Sequence, residues 1–310
     1  LGGDFHEEFA MKTWPWASLI ASMAGVAWGG LAITVDNDFF VGSDSSSYTH
    51  GAELTWYDQN DWGTYFTGLR NRIYTPTDTT RAENQPDDHP WCGLSTVFFE
   101  QGITQGRLRS KYSIETGILG PSSMAKEQQI WFHKLSGSDK PQGWNNQLQN
   151  EFALNAYLDN WYGLGPQGRT QVWSVTPDFL YGGVLGTVYD HLYSGLGVRA
   201  GYNIPPLWPD NGLSPDVPPR SPPFFAYLLA SLKGIAVAHN ATLGQSLFHG
   251  VDEEHHVDPN PFLGEAKAGI CLGYGWISLM GLVTLGTREF NSQDDTPAWG
   301  EVRLTIGRPF

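Results

Sequence analysis

Apolar and polar residues alternate with a period of two along most of this chain. In EFALNAYLDNW, Phe152, Leu154, Ala156 and Leu158 take one face, and Ala153, Asn155 and Tyr157 take the other. Similar runs recur near 31–39, 50–58, 64–75, 93–103, 107–118, 149–161, 170–182, 186–201, 224–239, 262–274, 276–290 and 300–310, with turn-forming clusters between them. They amount to about a dozen strands, an even number, as a closed bacterial barrel requires. The last run, EVRLTIGRPF, sets Val302, Leu304, Ile306 and Phe310 against Arg303, Thr305 and Gly307. A terminal strand that is apolar on one face and ends in an aromatic residue suits an outer-membrane barrel.

Two segments depart from this pattern. Residues 203–223, NIPPLWPDNGLSPDVPPRSPP, hold eight prolines; proline cannot donate to a ladder, so the segment is a loop. Its length suggests the extracellular side, where barrel connections are longer. Residues 121–135, PSSMAKEQQIWFHKL, predict a short helix with a serine N-cap, inserted between strands. Upstream, MKTWPWASLIASMAGVAWGGLA from Met11 has the form of a secretory signal ending at Gly25-Val26-Ala27. Its apolar part is shorter than the roughly 20 residues of a spanning helix. The expected organisation is therefore residues 1–27 as upstream sequence and signal, and 28–310 as a single domain.

Composition sharpens the fold class. Charged residues make up 16% and aromatics 14%, and there are 37 glycines. Together with the alternation, this predicts an all-β protein: a closed antiparallel transmembrane β-barrel of about 12 strands, with the short helix in an extracellular connection. The formal charge of −14 and the lack of basic runs exclude a nucleic-acid partner. Cys92 and Cys271 could pair in an oxidising compartment or remain two separate thiols.

Chemistry gathers at the end of the first run. ITVDNDFFVGSDSSSYTHGAELTWY brings Asp36, Asn37, Asp38, Ser43, Asp44, Ser45, Thr49 and His50 close together. Asp36, Asn37 and Asp38 offer the hard oxygens that calcium takes, without EF-hand spacing. On the predicted helix Gln129 and His133 are four apart and share a face, and a neutral imidazole is a suitable base toward water. Trp131 and Phe132 are expected to anchor the helix. Other readings are open at this point. Ser123 and Lys126 make an S-x-x-K pair that could belong to a phospholipase-like serine hydrolase. A small porin or structural barrel would need no site. The cluster His249, His255 and His256 among acids reads as a solvated loop rather than a zinc site.

Several motifs in one order tip the balance: VDNDFF, YTHG, IYTP at 73–76, ILGP at 118–121, Gln129 with His133, and GWNNQLQNE at 143–151. In these the chain resembles the outer-membrane lipid A 3′-O-deacylase family, the LpxR-like proteins. The resemblance implies a twelve-stranded barrel in the bacterial outer membrane. It also implies a calcium-dependent ester hydrolase acting on lipid A of lipopolysaccharide, surrounded by outer-membrane lipids and expected to be a monomer. Carried over by position, the catalytic set is His133, Asn37, Thr49 and Gln129, and the calcium ligands are Asp38 and Asn37. Thr49 and Gln129 would orient His133 and the attacking water. Asp139 stands where the family has a glutamate. Arg81 followed by Ala82 stands where it has a Lys-Arg pair expected to meet the lipid phosphates.

Overall fold

The computed structural model describes residues 29–42, 47–60, 63–165, 173–204 and 224–307. The signal-like segment, Ser43, Asp44, Ser45 and Phe310 lie outside the described residues. Twelve strands close into one antiparallel barrel: β1 (Gly30–Asn37), β2 (Tyr48–Asn60), β3 (Gly63–Tyr74), β4 (Cys92–Gln105), β5 (Leu108–Leu119), β6 (Glu151–Gly163), β7 (Trp173–Gly186), β8 (Tyr189–Tyr202), β9 (Phe224–Asn240), β12 (Phe262–Tyr274), β13 (Ile277–Gly286) and β14 (Ala298–Gly307). Each strand pairs with its sequence neighbour, and β1 closes the barrel against β14 from Gly30↔Gly307 to Asn37↔Gly300. Two short strands, β10 (Gln245–Ser246) and β11 (Gly250–Val251), pair within the β9–β12 connection. Among the described residues no helix is long and apolar enough to cross a membrane.

Alternation now has a physical meaning at each position. On β6, Phe152, Leu154 and Leu158 are exposed, while Ala153, Asn155 and Asp159 are buried; on β14, Val302, Leu304 and Ile306 face outward, while Arg303 and Thr305 face in. The outer wall is a lipid-facing belt. The lumen, in contrast, is charged and filled. Arg70 pairs with Glu53 (2.6 Å) and Glu115 (3.1 Å), Arg72 with Glu115 (3.2 Å), and Lys111 with Glu100 (3.4 Å). Tyr157 donates to Glu115 and Tyr193 to Asp159, each at 2.5 Å. These groups are removed from bulk water, so removing one partner costs on the order of 3–5 kcal/mol.

An antiparallel meander fixes the end from which each connection leaves. Connections 38–47, 75–91, 120–150, 187–188, 241–261 and 287–297 leave from the upper end, most of them long, while Asn60 and Gly63, the tight turns at 106–107 and 275–276, the ends of the 164–172 and 203–223 connections and both termini of the closed sheet lie at the lower end. Barrels of this kind place short turns in the periplasm, so the upper end is extracellular. The expectation for the proline-rich segment is corrected here. Tyr202 closes β8 and Phe224 opens β9 at the lower end, so strand parity overrides the guess from length; residues 205–223 themselves lie outside the described residues. The helix is also revised. Pro121–Ser123 form a 3₁₀ turn, Met124 adopts φ 61, and α1 runs Ala125–Ser136 without a side-chain cap. Pro121 starts the tighter turn, so the serines fall before the helix begins. Cys92 and Cys271 are both buried, in separate apolar clusters, and no disulfide joins them.

Candidate active site

The site is built on the outer wall of the upper rim. On β1 the lumen-facing set is Ala32, Thr34 and Asp36, with Thr34 Oγ1 accepting from Arg303 Nε (3.0 Å) and Asp36 Oδ2 accepting from Tyr48 Oη (2.9 Å). Asn37, one residue on, therefore points outward. It lies directly opposite His50 of β2 in the register, and its Nδ2 donates to His50 Nδ1 (3.3 Å). Asn37 Oδ1 accepts from the Phe39 N–H (2.8 Å), which starts the 3₁₀ turn Asp38–Val41 and fixes the orientation of the amide. That turn folds outward over β14: a Cβ on Gly300 would sit 2.6 Å from Phe40 Cβ, so only glycine lets Phe40 lie there.

On β2 the register slips between Tyr48 and His50. The extra residue is Thr49, and such a bulge re-aims the side chains at a strand end. Thr49 Oγ1 bonds Thr75 Oγ1 (2.6 Å). On β3 the outward residues Asn71 and Ile73 are buried although they face the lipid side. What covers them is α1 and the turn Trp144–Asn146: Ile73, Ala125, Trp91 and Trp144 form one apolar cluster. Ser95 ties this cover down, accepting from Asn71 Nδ2 (2.7 Å) and donating to the Ser123 carbonyl (2.7 Å). Gly93 makes the approach possible, because a Cβ there would meet Ala125 Cβ and Ser123 Oγ, each at 2.2 Å.

α1 thus lays its inner face across this apolar cluster and onto the imidazole of His50. Phe132 packs on His50 with ring centroids 5.2 Å apart, and His133 lies within electrostatic reach of His50. His133 Nδ1 donates to the main-chain carbonyl of Asp139 (2.5 Å). A carbonyl can only accept, so Nδ1 carries the proton and Nε2 keeps its lone pair when the ring is neutral. Gln129 is 2% exposed; its Oε1 accepts from Trp144 Nε1 (2.7 Å), while Nε2 is buried without a partner.

The predicted residues therefore do gather at one rim, with three revisions. Thr49 and Gln129 bond Thr75 and Trp144 rather than His133, and the group that orients His133 is the Asp139 backbone. The Asp139 side chain is exposed. Asp36, counted among possible calcium ligands, faces the lumen, because adjacent strand residues point to opposite faces. Trp131 does not anchor the helix; it is 63% exposed. Two residues went unassigned in the sequence: His50, whose place in YTHG was the available signal, and Trp144, which lies within GWNNQLQNE. Arg81 lies in the 75–91 connection beside Asp78, and the Ala82 carbonyl accepts from Asn146 Nδ2 (2.9 Å). Ser123 is buried, with Oγ toward the Ala125 N–H (3.4 Å).

Hard oxygen at the rim comes chiefly from Asp38. Its half-buried carboxylate accepts from the Phe39 N–H (2.8 Å) at the outward turn. Asn37 Oδ1 is already engaged, and among the described residues no group of three His, Cys, Asp or Glu converges as a metal site. The one carboxylate at the outward turn, Asp38, is the hard-oxygen type of ligand that calcium takes.

Comparison with known proteins agrees with the barrel fold. The structure of LpxR from Salmonella typhimurium superposes with a TM-score of 0.77 at 21% identity, covering 90% of this chain and 99% of that one. The NanC porin and the β domain of the Bordetella autotransporter BrkA give TM-scores of only 0.41 and 0.43 at 7% and 10% identity, covering 90% and 91% of this chain and 100% and 99% of theirs. Comparison with curated protein sequences gives no match. The family model described as outer membrane protein LpxR matches residues 11–307. With that match over nearly the whole chain, and with the family's motifs gathered at one rim of a twelve-stranded barrel, the chain belongs to the LpxR family of outer-membrane proteins.

Proposed function

We propose that this barrel is a lipid A deacylase that hydrolyses the ester of a 3′-linked acyl chain in the outer leaflet, with His133 as the base. The observation that carries this reading is the polar patch on a lipid-facing wall. Asn37 and His50 are paired on the outer face beneath α1, and His133 is beside them, where an ester at the membrane surface can reach. A porin would place such a cluster inside, but here the lumen is crossed by ion pairs.

His133 Nε2 takes a proton from water as the water oxygen attacks the ester carbonyl. The Asp139 carbonyl holds Nδ1–H throughout, which keeps the ring in the useful tautomer. Negative charge develops on the former carbonyl oxygen, and the second Nδ2 hydrogen of Asn37 is free to meet it. The intermediate collapses as the C–O bond to the sugar breaks, and His133 returns its proton to the sugar oxygen. A fatty acid leaves. The unpartnered Gln129 Nε2 is suited to holding the water or a substrate oxygen, and Thr49 acts through the bulge that sets His50 in place. Asp38 would hold a calcium ion, which when bound supplies positive charge beside the carbonyl.

His133→Ala abolishes acyl removal, read by mass spectrometry of lipid A from cells with and without the variant, while the barrel keeps its heat-modifiable migration. Chelating calcium stops wild-type turnover, and Asp38→Asn regains activity only at raised calcium. Undiminished trimming by the His133 variant would refute the assignment. Covalent labelling of Ser123 by a fluorophosphonate would move the reading to a serine hydrolase.

A further inference from the structure

The outer face of α1 has no cover within the described residues. Trp131 and Leu135, four apart and 63% and 66% exposed, form a stripe that Met124 continues at the helix start. Phe39 and Phe40 of the neighbouring turn are exposed as well, and Phe152 and Phe262 project from the upper ends of β6 and β12. The stripe therefore extends the aromatic rim at the top of the lipid-facing belt, the depth at which amphipathic helices lie in an interface.

Charge supplies a second, independent observation. In a chain of net charge −14, the upper connections 75–91 and 241–261 carry Asp78, Glu83, Asp87, Asp88, Asp252, Glu253, Glu254 and Asp258 against Arg81 alone. The connection bearing α1 is the exception, with Lys126, Lys134 and Lys140 against Glu127 and Asp139 between residues 120 and 150. Lys134 and Lys140 are exposed. They follow His133 and Asp139 directly, the two residues joined by the Nδ1–H bond, so their backbones are held on either side of the base.

We propose that α1 docks the substrate lipid: Trp131, Leu135 and Met124 enter the acyl region, and Lys134 and Lys140 take a phosphate of a phosphorylated, acylated glycolipid. The proposal rests on the deacylase reading above. It explains how the site recognises an anionic lipid although Ala82 leaves Arg81 without a second cation beside it. Lysine binds phosphate as a point charge and needs no planar match, so two flexible ammoniums at a helix end suffice.

The test has two arms. First, the full barrel in detergent is assayed as K134Q/K140Q on phosphorylated lipid A and on the same lipid with its phosphates removed. KM rises about tenfold on the phosphorylated lipid, with kcat unchanged and no change on the other. A loss of equal size on both lipids would mean that the lysines only serve the helix end, and no loss at all would equally overturn the phosphate assignment. Second, Leu135→Cys carries a nitroxide in vesicles of the same lipid, with Cys92 and Cys271 buried and out of the label's reach. Oxygen collides with the label more than a water-soluble nickel chelate does if α1 is immersed, and the reverse would overturn docking. Should wild type cleave neither lipid, the deacylase reading fails instead, and the nitroxide alone decides whether α1 enters the membrane.

Discussion

Both ends of the Asn37 amide are committed, the oxygen to Phe39 N–H and the nitrogen to His50 Nδ1. His50 therefore fixes where the remaining Asn37 N–H points. His50→Phe keeps a ring against Phe132 and removes the acceptor for Asn37 together with the ring's bond to the Asp36 main chain. A lost hydrogen bond of this kind is worth about 1 kcal/mol, so kcat falls about fivefold while KM stays nearly constant in steady-state kinetics. His89 makes a second prediction at this scale. Within the 75–91 connection it stacks on Tyr74 at 5.3 Å, and burial lowers its pKa from 6.5 to about 4. A folded pKa below the unfolded one means that the unfolded segment binds protons first on acidification. The stability that neutral His89 contributes to this extracellular roof is thus fully present above about pH 6.5 and is lost as pH falls toward 4, which hydrogen exchange across 75–91 registers as faster opening.

At the scale of elements, the site depends on a helix lying on the outside of a barrel. Four local devices hold it there: the gap at Gly93, the Ser95 bridge, the Ile73–Ala125–Trp91–Trp144 cluster, and the Gln129–Trp144 bond. Gly93→Val puts a side chain where Ala125 and Ser123 now lie and pushes α1 off the wall. Displacing His133 by about 1 Å costs roughly a hundredfold in activity, while the barrel strands, which do not need the helix, keep their heat-modifiable migration on gels. Loss of that migration would show that α1 is needed for the barrel as well as for the site.

At the scale of the whole molecule, the charged lumen and the lipid-facing site divide the work. Ion pairs and tyrosine bonds around Arg70, Arg72, Glu115, Lys111 and Asp159 fill the interior, so the barrel is a rigid wall rather than a conduit. Inserted into a planar bilayer, it gives no porin-like conductance steps. Steady open-channel current would contradict both the filled lumen and the assignment of the chemistry to the outer face.

Strand positions, strand number and the outward sets on β6 and β14 were legible in the chain, because a lipid outside and a polar lumen impose a period of two that local sequence records directly. The order of the motifs identified the family, and Asn37, Asp38 and His133 could be named from it. Which face each residue takes at the rim was not legible. Asp36 and Asn37 are chain neighbours with opposite surroundings, and the bulge at Thr49 shifts the parity of β2 without a proline or glycine to mark it. The pairing of Asn37 with His50 required the register. The end of the barrel from which the proline-rich segment leaves required the full strand count. Sequence by itself determined which residues alternate and which motifs are present; tertiary structure decided which of them meet, since contacts across a closed sheet and beneath a packed helix join positions far apart in the chain.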